Sequence, residues 1–141
     1  MKSHPVNHPG GCTAYRLEYR GKTLVYLTDH EPFSDAKDQA VREFTRGADL
    51  LIREAQYTAE EYQTHLNWGH GCIDEVVRMA ITAQVKRLYM FHHDPAHDDR
   101  FLSGMLMHAR QLVDEARSTL LIEAAREGVE VMLREGVVTS R

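Results

Sequence analysis

Two β-rich runs, CTAYRLEY (12–19) and KTLVYLT (22–28), flank Arg20 and Gly21, and a glycine in so short a connection predicts a hairpin. The period then changes. SDAKDQAVREFTRG opens with a Ser/Asp start signal, repeats apolar side chains at Ala40, Val41 and Phe44, and stops at Gly47, which predicts a helix. ADLLIREA reads as a short buried strand. TAEEYQTH reads as a short helix, with Thr58 at the cap and Glu61 at the reciprocal capping-box position. An amphipathic helix over CIDEVVRMAITAQ and a strand over KRLYMF follow. A long helix is predicted next, from an N-cap at Asp98 or Asp99 through DDRFLSGMLMHARQLVDEARSTLLIEAAREG to a stop at Gly128, and VEVML closes as a last strand. Two strands followed by alternating helix and strand predict an α/β layer with helices on a sheet. With no repeat, low-complexity segment or linker, residues 1–141 are expected to form one domain.

Composition narrows the possible partners. The 141 residues, 43% hydrophobic and 27% charged, suffice for one core. A formal net charge of -4 and the lack of any Lys/Arg block argue against nucleic acid or anionic lipid as a partner held by bulk charge, but permit a single phosphate-bearing substrate. Cys12 and Cys72 are far apart and form no CxxC pair, so neither a disulfide framework nor a cysteine zinc site is expected, and both suit a reducing cytoplasm. MKSHPVNHPGG has no apolar h-region and no run approaches membrane-spanning length, so neither export by a visible signal nor a membrane partner is expected.

Most of the nine histidines fall at the edges of predicted strands. LVYLTDHEP puts Asp29 at the carboxyl end of one strand, YMFHH puts His92 and His93 at the end of another, and NHPGG puts His8 in the loop before the first β run. Ligand sites of α/β sheets gather beyond such strand ends. Two imidazoles and a carboxylate form a donor set that zinc accepts. Taken singly, Asp29 also fits an ordinary turn carboxylate, His8 a loop histidine before Pro9, and His70 a helix-start residue. Trp68 is expected to pack in the core or a pocket, Cys12 and Cys72 to be small buried residues, and Met105 and Met107 to share a face of the long helix.

In order, NHPGGCTAYRLEYRGKTLVYLTDHE, DLLIREAQYTAEEY, NWGHG and LYMFHHDPAHDD resemble the C-terminal half of metallo-β-lactamase-fold hydrolases of the RNase Z and cyclic-phosphodiesterase-like branch. The resemblance implies half of an αββα sandwich, a mixed sheet with covering helices. It implies His8, Asp29 and His92 as metal ligands, Asp29 bridging two zinc ions, with manganese or iron as alternatives. It implies Glu54 and His70 as a proton-shuttling pair, and a phosphoester or similar ester as the small-molecule substrate. The fifth-motif histidine of the family directly follows its strand, which selects His92; strand alternation then turns His93 away. The family's H-x-H-x-D-H loop is absent, WGHGC stands where WGHST is usual, and FHHDP lacks the arginine-bearing pattern of true RNase Z enzymes. Each ion would therefore have two protein ligands, and the isolated chain is expected to be inactive. Self-association or a missing N-terminal half is the expected partner. The alternative is a non-catalytic metal-binding or interaction half-domain, or a gene fragment.

Overall fold

The structure, a computed structural model, describes residues 1–32, 35–134 and 138–140. Its centre is a six-stranded sheet, formed in spatial order by β1 (Lys2–Val6), β2 (Cys12–Tyr19), β3 (Lys22–Leu27), β4 (Leu50–Glu54), β5 (Arg87–Phe91) and β6 (Leu121–Ala124). The first three strands run antiparallel and the last four, beginning at β3, run parallel. The parallel strands are joined through α1 (Asp35–Thr45), the pair α2 (Ala59–Tyr62) and α3 (Ile73–Thr82), and α4 (Asp99–Glu115). Strand order follows chain order, so right-handed crossovers place all the long helices on the same face. There α1 packs on α3 and α3 on α4.

Strand alternation divides the sheet into two unlike faces. Val25, Leu27, Leu51, Leu88, Met90 and Ile122 join the helix residues in one buried core. The opposite face is covered only in part: Leu50 and Tyr89 are buried there, whereas Tyr15 pairs with Tyr26 across β2 and β3, the Tyr26 ring lies 6.2 Å from that of Phe91, and Leu17 and Tyr19 continue an exposed apolar row. Tyr15, Leu17, Tyr19, Tyr26 and Phe91 are 36–71% exposed, far more than core packing would leave. Among the described residues no helix is long and apolar enough to cross a membrane.

Three elements differ from the sequence expectation. KSHPV forms a strand ahead of the expected first one; Pro5 is tolerated because β1 lies at the sheet edge. The long helix ends at Glu115 instead of running to Gly128. Ala116 caps it, Arg117 turns left-handed (φ 50°), and Leu121–Ala124 pairs in parallel with β5. VEVML supplies only β7 (Val131–Leu133), which pairs with β8 (Val138–Ser140) outside the main sheet. Met105 is buried but Met107 is exposed, so the two do not share a helix face. Cys72 is buried and Cys12 half-buried, and both thiols are free. The capping box of α2 is present, and Asp98 caps α4 by accepting from the Phe101 N–H at 2.7 Å.

Candidate metal centre

Parallel pairing brings the carboxyl ends of β3, β4 and β5 to one edge, with Glu54 closing β4, His92 directly after β5 and Asp29 two residues beyond the end of β3. Glu54 is the last residue of β4 and pairs with Phe91, so the following residue, His92, stands beside it. Asp29 and His92 both adopt left-handed backbone, at φ 55° and 50°. Each such non-glycine residue costs about 1 kcal/mol or more, and two that follow β3 and β5, on either side of β4, mark a locality where strain is tolerated.

The fourth contributor, the His8 loop, is tied to this edge through Asn7. Its N–H donates to His30 Nδ1 at 3.1 Å, its side-chain amide donates to the Glu31 carbonyl at 3.0 Å, and its carbonyl accepts from the Glu31 N–H at 2.9 Å. The Glu31 carboxylate reaches the other way. It accepts from Tyr62 Oη (2.9 Å) and from the N–H groups of Asn67 (2.7 Å) and Gly69 (2.8 Å), which fixes the loop presenting His70. Gly69 lies against His8 so closely that a Cβ there would sit 2.2 Å from His8 Cδ2.

At the centre is the pair Glu54 and His70. Glu54 is fully buried; one oxygen accepts the His30 N–H and the other takes the His70 Nδ1 proton at 2.7 Å. That hydrogen bond raises the His70 pKa against the opposing effect of burial, with Asp29 and Glu31 adding to the rise. The His8 and His92 rings flank His70 at 5.5 and 5.2 Å. His92 Nδ1 lies 3.7 Å from Asp29 Oδ1 and 4.0 Å from Glu54 Oε2. Ligand-type atoms of His8, Asp29 and His70 fall within 4.8 Å of one another, as do those of Glu54, His70 and His92. The structure therefore brings together all five side chains singled out in the sequence, with His70 common to both groups.

Imidazole nitrogens and carboxylate oxygens at these separations are a donor set that fits zinc, manganese or iron. His8 requires one adjustment. Its Nδ1 accepts from the Gly10 N–H at 3.1 Å, which puts the ring proton on Nε2, so ligation through Nε2 requires the proton to leave or change nitrogen. His93 lies outside both groups, and burial lowers its pKa against the opposing effect of the Ala55 and Met90 backbone. Trp68 corrects the expectation of a packed indole, for it is 60% exposed.

His30 was not singled out in the sequence, yet it holds this edge together from below. Burial pushes its imidazole down to about 3, with the Arg53 and His4 charges adding to the push. A histidine in the unfolded chain takes its proton near 6.5, so between that pH and 3 the unfolded state binds more protons and stability falls as pH falls. About 2 kcal/mol should be lost by about pH 5 from this group. His30→Gln should flatten the dependence of the urea midpoint on pH over that range, and an unchanged acid slope would contradict neutral burial of His30.

The beta-lactamase superfamily domain matches residues 2–93, a segment that includes all five clustered side chains. Ribonuclease Z of Brevibacillus brevis is 32% identical over 96 residues, covering 65% of this chain and 29% of the relative. Ribonuclease Z of Picrophilus torridus is 27% identical over 96 residues, covering 68% and 29%. The chain thus spans under a third of the length of these curated relatives. Among solved structures, the metallo-beta-lactamase fold protein YhfI from Bacillus subtilis superposes with a TM-score of 0.66 at 22% identity, over 99% of this chain and 48% of that one. Human tRNase Z, short form, superposes with a TM-score of 0.58 at 19% identity, over 66% and 35%. The fold is the metallo-β-lactamase fold, seen here as a mixed sheet with helices on one face. Because the relatives are named as ribonucleases, net charge alone does not exclude nucleic acid as a partner of this chain.

Proposed function

Since this chain belongs to the beta-lactamase superfamily domain family, we propose that it supplies one side of a metal-dependent hydrolase site for a phosphoester or similar ester. The observation that carries the reading is the convergence of His8, Asp29, Glu54, His70 and His92 from separate segments, with Glu54 and His70 hydrogen-bonded at 2.7 Å. His8, Asp29 and His92 would hold the metal, zinc before manganese or iron, with Asp29 in the shared position. Bound there, such ions supply Lewis acidity toward a phosphoryl oxygen and toward water.

The remaining chemistry belongs to the protein. Glu54 accepts the Nδ1 proton of His70 and so fixes the ring with Nε2 available for proton transfer. The raised pKa keeps a proton on His70 closer to neutral pH, and that proton passes to the departing ester oxygen. Burial of Glu54 holds the pair dry and in register. Two free cysteines are consistent with residence in a reducing cytoplasm.

The sequence contains no H-x-H-x-D-H, so the chain alone is expected to hydrolyse bis(p-nitrophenyl) phosphate negligibly with zinc or manganese. Activity should emerge when a segment bearing that motif from a ribonuclease Z relative is supplied, and His70→Asn should then lower kcat by about 100-fold or more. Vigorous chelator-sensitive turnover by the isolated chain would overturn the ligand deficit. Undiminished turnover in the complemented His70→Asn protein would overturn the role of His70.

The exposed part of the sheet's second face supports a proposal about assembly. With Tyr15, Leu17, Tyr19, Tyr26 and Phe91 exposed together, the chain is expected to associate with a second copy or with a segment that completes the fold. Sedimentation should detect species heavier than one chain at micromolar concentration. A clean monomer that binds no apolar dye would count against it.

A further inference from the structure

The connection between β5 and α4 begins at His92, and most of it faces water: His92, Pro95, Ala96 and Asp98 are all exposed. His97 is the exception. A turn presents it, in which Asp94 accepts the Ala96 N–H through Oδ1 at 2.8 Å and the His97 N–H through its carbonyl at 3.0 Å. The His97 side chain is 5% exposed, stacks on Phe101 at 4.0 Å and 23°, and meets Glu61 Oε1 through Nε2 at 2.8 Å. Facing a carboxylate, Nε2 carries the proton; Nδ1 is enclosed with no hydrogen-bond partner among the described residues. A buried nitrogen left unpaired is unfavourable, so packing alone does not account for an imidazole where an apolar side chain would fill the space better.

Glu61 divides its carboxylate between two tasks. Oε2 accepts the Thr58 N–H at 2.8 Å and closes the capping box of α2, which leaves Oε1 for His97. The next residue, Tyr62, donates to Glu31, and the Glu31 carboxylate holds Asn67 and Gly69 in the loop that presents His70. A circuit of contacts therefore leads from the loop after His92, through α2, to the loop before His70. It closes across the site, where the His70 and His92 rings lie 5.2 Å apart. We propose that His97 and Glu61 are positioning residues of the metal centre, a clasp that sets the separation of His92 from His70. The inference rests on the reading of this edge as a metal centre and adds the device that keeps its two sides in register. The clasp acts along the loop from His97 to His92.

The test titrates zinc into the full chain by calorimetry and records the visible absorption of cobalt bound in its place, whose bands report the arrangement of the ligands. His97→Leu keeps an apolar body against Phe101 and removes the donor to Glu61, so it should weaken zinc binding about tenfold and shift the cobalt bands. His97→Gln, which returns an N–H donor near the position of Nε2, should restore most of both. Asp98→Ala is the control: it removes the α4 cap on the Phe101 N–H and leaves the clasp intact, so it should lower the urea midpoint without changing zinc affinity or the cobalt bands. Unchanged affinity and bands in His97→Leu overturn the clasp and leave the metal centre standing. Equal losses of affinity in His97→Leu and Asp98→Ala also overturn it, because they would mark a general loosening of α4. Should His97→Leu fail to fold, Glu61→Asp, too short to keep both contacts, carries the same expectation and the same contradiction. Failure of the wild-type chain to bind either metal overturns the metal centre and the clasp together.

Discussion

Glu31→Ala is expected to lower the stability of the folded chain by about 3 kcal/mol, because a buried carboxylate that satisfies several donors leaves them orphaned when removed. Glu31 is 5% exposed and accepts from Tyr62, Asn67 and Gly69, so its loss detaches α2 and the His70 loop from the end of β3 at once. Urea unfolding gives the size of the effect. A second readout identifies its cause: the Tyr62 hydroxyl is held above its ordinary pKa by burial and then by the hydrogen bond to Glu31, and it should titrate lower in the variant. Glu31→Gln, which keeps one acceptor oxygen, should fall between the two. An unchanged urea midpoint would mean that the loop is held by something other than Glu31.

Gly69→Ala is expected to weaken zinc binding by about tenfold to a hundredfold, the loss associated with misplacing a metal-ligating histidine. The glycine has φ +96°, and a Cβ would lie 2.2 Å from His8 Cδ2, 2.7 Å from His8 Nε2 and 2.8 Å from Pro9 Cδ. The His8 ring must therefore move. Gly11→Ala separates this displacement from backbone strain, since Gly11 also has positive φ (+75°) but nothing within 4 Å of the added methyl. Both variants should lose about 1 kcal/mol of stability, and only Gly69→Ala should lose metal affinity. Equal metal affinities in the two variants would place His8 outside the centre.

What the sequence made legible follows from the range of the interactions involved. The hairpin of β2 and β3, the buried strands β4 and β5, and the Thr58–Glu61 and Asp98 caps depend on neighbours a few residues away, and their patterns are local. β1 was illegible because Pro5 and His4 interrupt its apolar pattern, and only edge pairing with β2 makes it a strand. β6 was absorbed into α4 because LLIEA is a short apolar run that either period accommodates, and the helix ends on left-handed Arg117 where a glycine would have signalled a stop.

The candidate site divides the same way. Asp29, Glu54 and His92 stand at strand ends, where position alone drew attention to two of them, and the resemblance supplied Glu54 and the roles. Asn7, His30, Glu31 and Tyr62, which hold the site in place, have their partners 23 to 38 residues away in the chain. No spacing rule reaches that far. The triplet Asp29-His30-Glu31 before Pro32 was the available signal, three polar residues at the end of a buried strand, of which two proved to be buried as well.

The claim that the carboxyl edge of the sheet is a metal centre is tested most directly by calorimetric titration of zinc into the wild-type chain, His92→Ala and His93→Ala. His92 lies 3.7 Å from Asp29 and His93 belongs to neither ligand group, so affinity should collapse in His92→Ala. In His93→Ala it should fall by no more than about a hundredfold. Loss of zinc binding in His93→Ala with affinity intact in His92→Ala, or no zinc binding by the wild-type chain, would contradict the account.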